Sequence, residues 1–173
     1  MVVKVEDALA YLQMDISEAV VERKIRAIES LIRSETNNNF QDRTVRFKVP
    51  SCDGMLIGNS PYLAAGDTVE ISDSVNRGLY VIVSTEAGRM NVDKRLHDSA
   101  SNTVTKVVYP EDVQEGVLNM LQWDFTMRGK VGIKTESLSR HSVTYYDMDD
   151  QNSLNGYPAS LIGFLEPYRQ MRW

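Results

Sequence analysis

The side chains able to carry chemistry are few. His97 and His141 are the only histidines, and Cys52 is the only cysteine. Zinc sites draw their ligands from closely spaced Cys and His pairs, and these three residues match none of the usual spacings. The run Asp147-Met148-Asp149-Asp150-Gln151-Asn152 starts like a calcium loop. Its sixth position is Asn152 where a glycine must make the sharp turn, and its twelfth is Pro158 where a bidentate Glu belongs. It reads as a solvated acidic loop. The segment Arg128-Gly129-Lys130-Val131-Gly132 lacks the upstream glycine and the following Ser or Thr of a phosphate-binding loop. Gly58-Asn59-Ser60 opens as a nucleophile elbow does, and Pro61-Tyr62 breaks the pattern. The carboxylate pairs Glu18 with Glu22 and Glu111 with Glu115 fall on helix faces, where solvation accounts for them. No catalytic residue, metal ligand or cofactor site is nominated, and the expectation is a protein that is not an enzyme.

Aromatic residues carry the other signal. Trp123 and Phe125 lie in a helical pattern and read as core or interface. Tyr145 and Tyr146 are adjacent in an extended-looking segment, so one ring faces away from its own domain. The ending Tyr168-Arg169-Gln170-Met171-Arg172-Trp173 gathers the side chains that most often anchor binding hot spots. Pro167 is expected to stop the last helix, leaving these residues to project from the body as an interface.

The elements that position these residues follow from periodicity. Val5 to Leu12 reads as a short amphipathic helix, with Ala8, Leu9 and Leu12 on one side. Asp15 and Glu18 have capping-box spacing ahead of a second helix, whose apolar residues are Ile16, Val20, Val21, Ile25, Ile28, Leu31 and Ile32. Glu22 to Arg26 and Glu29 to Arg33 are favourable pairs expected on its wet side. Asn37-Asn38-Asn39 should end it. From Thr44 the period becomes two, and strands are expected at Val45 to Val49, Thr68 to Ile71, Leu79 to Ser84 and Thr103 to Tyr109. Gly66-Asp67, Asn76-Arg77-Gly78 and Ala87-Gly88 supply turns, which suggests a small, barrel-like β subdomain.

Pro110 then opens a third helix, with Val113, Val117, Met120, Leu121 and Phe125 as its buried stripe and Gly129 as its end. Ile133 to Tyr146 could be an arm or hairpin, and Pro158 to Leu165 a short last helix. The predicted fold class is α+β: a small helical bundle with a small β subdomain inserted between helices 2 and 3. Its helical core would comprise residues 1–43 and 110–173, and the insert residues 44–109.

Composition sets the outer bounds. The 173 residues are 42% hydrophobic and 25% charged, the balance of a folded domain. A net charge of -5 without a basic block argues against a strong grip on DNA. One cysteine permits no intrachain disulfide, the N-terminus does not read as a secretory signal, and no run approaches membrane-spanning length. The expected site of synthesis is the cytoplasm.

Gly132 to Tyr146, reading GIKTESLSRHSVTYY, is similar to the "GIKSESIGDYSVTY" stretch of tailed-bacteriophage head-tail connector proteins. Ser139-Arg140-His141 stands where Gly-Asp-Tyr is common in them. The ending Pro158 to Arg169 resembles the close of the same family, as do the opening helices and the third helix. Residues 44–109 exceed the minimal family pattern. The resemblance implies an adaptor subunit of a dodecameric ring docked under the portal protein, extending the DNA channel and receiving the head-closure protein. DNA would pass through without sequence-specific binding. The location would be the virion neck, after synthesis in the host cytoplasm. By resemblance, the arm near the channel or a neighbour includes Ile133, Glu136, Ser137, Arg140, His141, Tyr145 and Tyr146. Tyr168, Arg169, Met171, Arg172 and Trp173 would dock on the portal. The alternatives are another neck protein (head-closure or tail-terminator) and a small nucleic-acid-binding β-barrel module.

Overall fold

A computed structural model describes residues 1–128, 135–138, 141–144 and 153–171. The chain forms two compact units, Asn37–Tyr109 with Met1, and Val2–Thr36 with Pro110–Trp173.

The first unit is a closed barrel of β1 (Gln41–Cys52), β2 (Met55–Ile57), β3 (Thr68–Ser72), β4 (Gly78–Glu86), β5 (Arg89–Val92) and β6 (Ser99–Val107). Their order around the barrel is β1-β2-β5-β4-β3-β6, and each neighbouring pair is antiparallel. Alternate residues point inward, so Val69, Ile71, Tyr80, Ile82 and Val104 meet Val49, Leu56, Met90 and Leu96 in one apolar core. Asp53-Gly54 and Ala87-Gly88 join adjacent strands with positive φ at both central residues, the turn whose twist matches a hairpin. A register shift between Ile82 and Ser84 marks a bulge in β4, where Val83 lies outside and 59% exposed. Such a bulge sharpens the local bend that closure needs.

The barrel corrects the expected fold class. A small helical bundle with a small β insert does not describe a chain that contains a closed six-stranded antiparallel barrel with its own core. The strands that complete the ring, β2 and β5, have three and four residues. Segments that short show no alternation to read in the sequence.

The second unit contains α1 (Val5–Leu12), α2 (Glu18–Thr36), α3 (Glu111–Thr126) and α4 (Ala159–Ile162), which a 3-10 helix, Gly163–Tyr168, extends. It also holds the antiparallel pair β7 (Thr135–Leu138) and β8 (His141–Thr144), and the short pair β9 (Ser153–Leu154) and β10 (Tyr157–Pro158). α1, α2 and α3 pack against one another. Ala8 and Leu12, then Val21, Ile25, Ile28 and Ile32, then Val113, Val117, Met120 and Leu121 are buried along them. No helix among the described residues is long and apolar enough to cross a membrane.

Several local expectations shift. α2 starts at Glu18, with the Ser17 carbonyl accepting from the Val20 and Val21 amides, so Asp15 and Glu18 form no capping box. Glu29 is buried rather than on the wet side, although it does pair with Arg33 at 3.0 Å. Pro110 is the N-cap of α3 rather than its first residue. The last helix is shorter than expected, and Pro167 sits inside the 3-10 turn that follows it.

Candidate functional site

The buried stripe of α3 runs Val113, Val117, Met120, Leu121 and then Asp124. A carboxylate at a core position must be paired or accept hydrogen bonds, because taking an isolated charge out of water costs several kcal/mol. Asp124 is fully engaged. Its side chain is 1% exposed. Lys24 Nζ on α2 donates to Oδ2 at 3.0 Å, the Tyr157 hydroxyl donates to the same oxygen at 2.9 Å, and Arg128 Nη1 donates to Oδ1 at 2.7 Å.

Arg128 is itself fixed. Its Nη2 donates to the Asn155 carbonyl at 2.8 Å, and its guanidinium lies 4.9 Å from the Tyr157 ring and 5.9 Å from that of Trp123. The Asn155-Gly156 turn allows this approach, since both residues have positive φ and a Cβ on Gly156 would stand 2.9 Å from Arg128 Nη2. Burial, then the bond to Asp124, pushes the Tyr157 phenol well above its ordinary range. The cluster opens on a cleft of about 220 Å³ with a wall of Ala27, Ile28 and Leu31. Two cations face one carboxylate, so the cleft keeps a surplus positive charge.

A second polar centre closes one end of the barrel. Asn76 is 2% exposed. Its Nδ2 donates to Asn102 Oδ1 at 3.0 Å, to Ser51 Oγ at 3.1 Å and to the His97 carbonyl at 2.8 Å, while its Oδ1 accepts from the His97 amide at 2.7 Å. Asn102 Nδ2 donates to the Val49 carbonyl and to Ser51 Oγ, each at 3.1 Å. The network satisfies these buried polar groups and pins the loop that carries His97. Outside it lies an open groove of about 850 Å³ rimmed by Asp53, Asp93, Lys94, Arg95, His97 and Asp98. Exposed Cys52 stands beside it, and the charges of Asp53 and then Asp98 hold its thiol above the ordinary range. No group of three His, Cys, Asp or Glu among the described residues is placed to hold a metal.

The residues singled out in the sequence are spread between two places. Glu136, Ser137 and His141 lie on the β7–β8 pair, opposite Val143, Ser142 and Leu138 respectively. Ile133, Arg140, Tyr145, Tyr146, Arg172 and Trp173 lie outside the described residues. Within the tail, Tyr168 to Gln170 do not project as expected. The Tyr168 hydroxyl donates to both Asp112 oxygens at 2.8 Å, Arg169 pairs with Glu35 and Glu166, and the Gln170 amide donates to the Thr36 carbonyl at 2.8 Å. Pro167 turns the chain back onto α2 and α3 because φ near -65° suits a 3-10 helix. Met171 is 76% exposed.

The Asp124 cluster escaped the sequence reading. Asp124 and Arg128 are four apart on one helix face, a legible signal. Lys24 lies 100 residues from Asp124 and Tyr157 lies 33 away, so only the fold unites them. No protein-family model matches the chain, and no curated protein matches it in sequence.

Proposed function

We propose that the chain is a non-enzymatic structural subunit of a tailed-phage neck. It forms a ring under the portal, extends the DNA channel and receives the next head-closure protein. The observation that carries this reading is the ordered resemblance to head-tail connectors of the opening helices, the third helix, Gly132 to Tyr146 and Pro158 to Arg169. Two features of the fold support it. The helices bearing the resemblance come from both ends of the chain and pack in one unit. The stretch resembling the connector arm contains the β7–β8 pair, whose backbone groups satisfy each other. Charge supports it as well. Asn37 to Tyr109 holds eight basic and eight acidic residues, so the net -5 belongs to the helical unit. An acidic ring would let DNA slide rather than stick.

The test is electron microscopy and native mass spectrometry of the full chain, alone and with its portal. The expected result is a twelvefold ring, or a monomer that assembles on the portal. A stable symmetric dimer under both conditions overturns the reading, since closed rings use two different faces of each subunit.

The closed barrel favours one other reading, a small nucleic-acid-binding module. Such modules combine a basic groove with aromatic stacking platforms. The barrel unit is charge-balanced, and Tyr62 is its one exposed aromatic. Salt-dependent binding of single-stranded oligonucleotides to the purified chain would favour the module over the ring.

A further inference from the structure

We propose that the cleft between α2 and α3 is a docking site for the acidic segment Asp147–Asp150 of a second copy of this chain. The inference rests on the ring reading and names the contact that would join its subunits.

The cleft is built for a mixed ligand. Its wall of Ala27, Ile28 and Leu31 offers an apolar surface, and its rim carries Lys24 and Arg128. Both cations are held by the buried Asp124 yet remain 32% and 38% exposed. A ligand carboxylate meeting them loses little side-chain freedom, because the geometry is already set. Arg23 is exposed on the same helix. It is one helical turn from Ala27, so both occupy one face of α2, and it makes no ion pair with any described residue. Two cations and one buried carboxylate therefore face this opening, in a unit whose net charge is -5.

Copies of so acidic a unit repel one another unless a negative surface meets a positive one. Asp147, Asp149 and Asp150 place three acids within four residues, interrupted by Met148. The segment thus offers carboxylates for the rim and a flexible apolar side chain for the wall. A head-to-tail ring needs two different surfaces on each subunit, and the cleft and this segment are such a pair.

The test uses the full chain and two variants. Ala27→Glu places a carboxylate on the exposed wall of the cleft, beside Arg23, at a position where Glu is a good helix former. D147N/D149N/D150N removes the charge of the segment. Sedimentation should show that each variant self-associates roughly tenfold more weakly than the unaltered chain, and that salt weakens the latter. Mixed together, the variants should form one-to-one complexes and nothing larger, since only one cleft and one segment remain intact. A synthetic peptide spanning residues 144–153 should bind the D147N/D149N/D150N chain and not the Ala27→Glu chain.

Failure of that peptide to bind, or self-association insensitive to both variants, overturns the proposal. Tighter association of D147N/D149N/D150N also overturns it, because the segment would then occupy the cleft of its own chain. The ring reading fails separately. Rings on the portal that tolerate Ala27→Glu would sink the cleft and leave the ring. Pairing through the cleft without any ring would do the reverse.

Discussion

At the scale of single residues, Asp124 carries the largest electrostatic stake. Removing the carboxylate leaves Lys24, Arg128 and the Tyr157 hydroxyl without their shared acceptor. Asp124→Ala should therefore lower stability by on the order of 3 kcal/mol in urea unfolding. Lys24→Ala should cost about 1 kcal/mol or less, since its side chain is 32% exposed and solvent already screens it. Equal losses from the two would show that the carboxylate is not the hub. Cys52 gives a pH-dependent test in the barrel. Neighbouring negative charges oppose thiolate formation, and Asp53 followed by Asp98 raises the thiol. Alkylation should be slow at neutral pH and rise with a midpoint above that of a free cysteine. Asp98→Asn should move that midpoint down, and an unchanged profile would remove Asp98 as a cause. The sequence displayed both residues without their roles. Asp124 falls on the apolar period of α3, but its charge sets it apart from that stripe in the sequence, and the carboxylate of Asp98 comes near Cys52 only in the folded barrel.

At the scale of elements, one close contact helps to seat the C-terminal segment. Gly116 is buried in α3, and a Cβ there would collide with the Phe164 ring of the 3-10 helix. The glycine is therefore a socket. Gly116→Ala should destabilise the protein by about 1–3 kcal/mol, because overpacking a filled site forces side chains or backbone to shift. Phe164→Leu in the same chain should recover part of that loss, a coupling that a double-mutant cycle measures directly. Additive effects would mean that the ring does not fill the socket. The helices were largely legible because 3.6-residue periodicity persists over long segments: α1 lies where its apolar positions put it, and α2 ends before the Asn run. The 3-10 turn was not legible. Proline commonly marks a helix end, and nothing local revealed that Tyr168, Arg169 and Gln170 find partners on Asp112, Glu35 and Thr36.

At the scale of the whole molecule, the barrel has what an autonomous fold requires. Its strands close on themselves, its apolar core is drawn from residues 45 to 104, and its mouth is sealed by a satisfied polar network around Asn76. Closure leaves no unpaired strand edge to expose when the rest of the chain is removed. At about 70 residues, however, a domain buries too little surface to tolerate much loss from its core. An isolated fragment of residues 37–109 should therefore fold, with strand-type circular dichroism and a single cooperative melt, but with a modest margin. Asn76→Ala should reduce that margin by roughly 1–3 kcal/mol, since the His97 amide, Ser51 Oγ and Asn102 Oδ1 all lose a partner. Met90→Ala, at a fully buried core position, should cost about 2–5 kcal/mol and leave the fragment largely unfolded at room temperature. The measurement is a urea titration of the three fragments followed by circular dichroism. A 37–109 fragment that shows no cooperative transition, while the full chain does, would mean that the barrel depends on the helical unit for its stability.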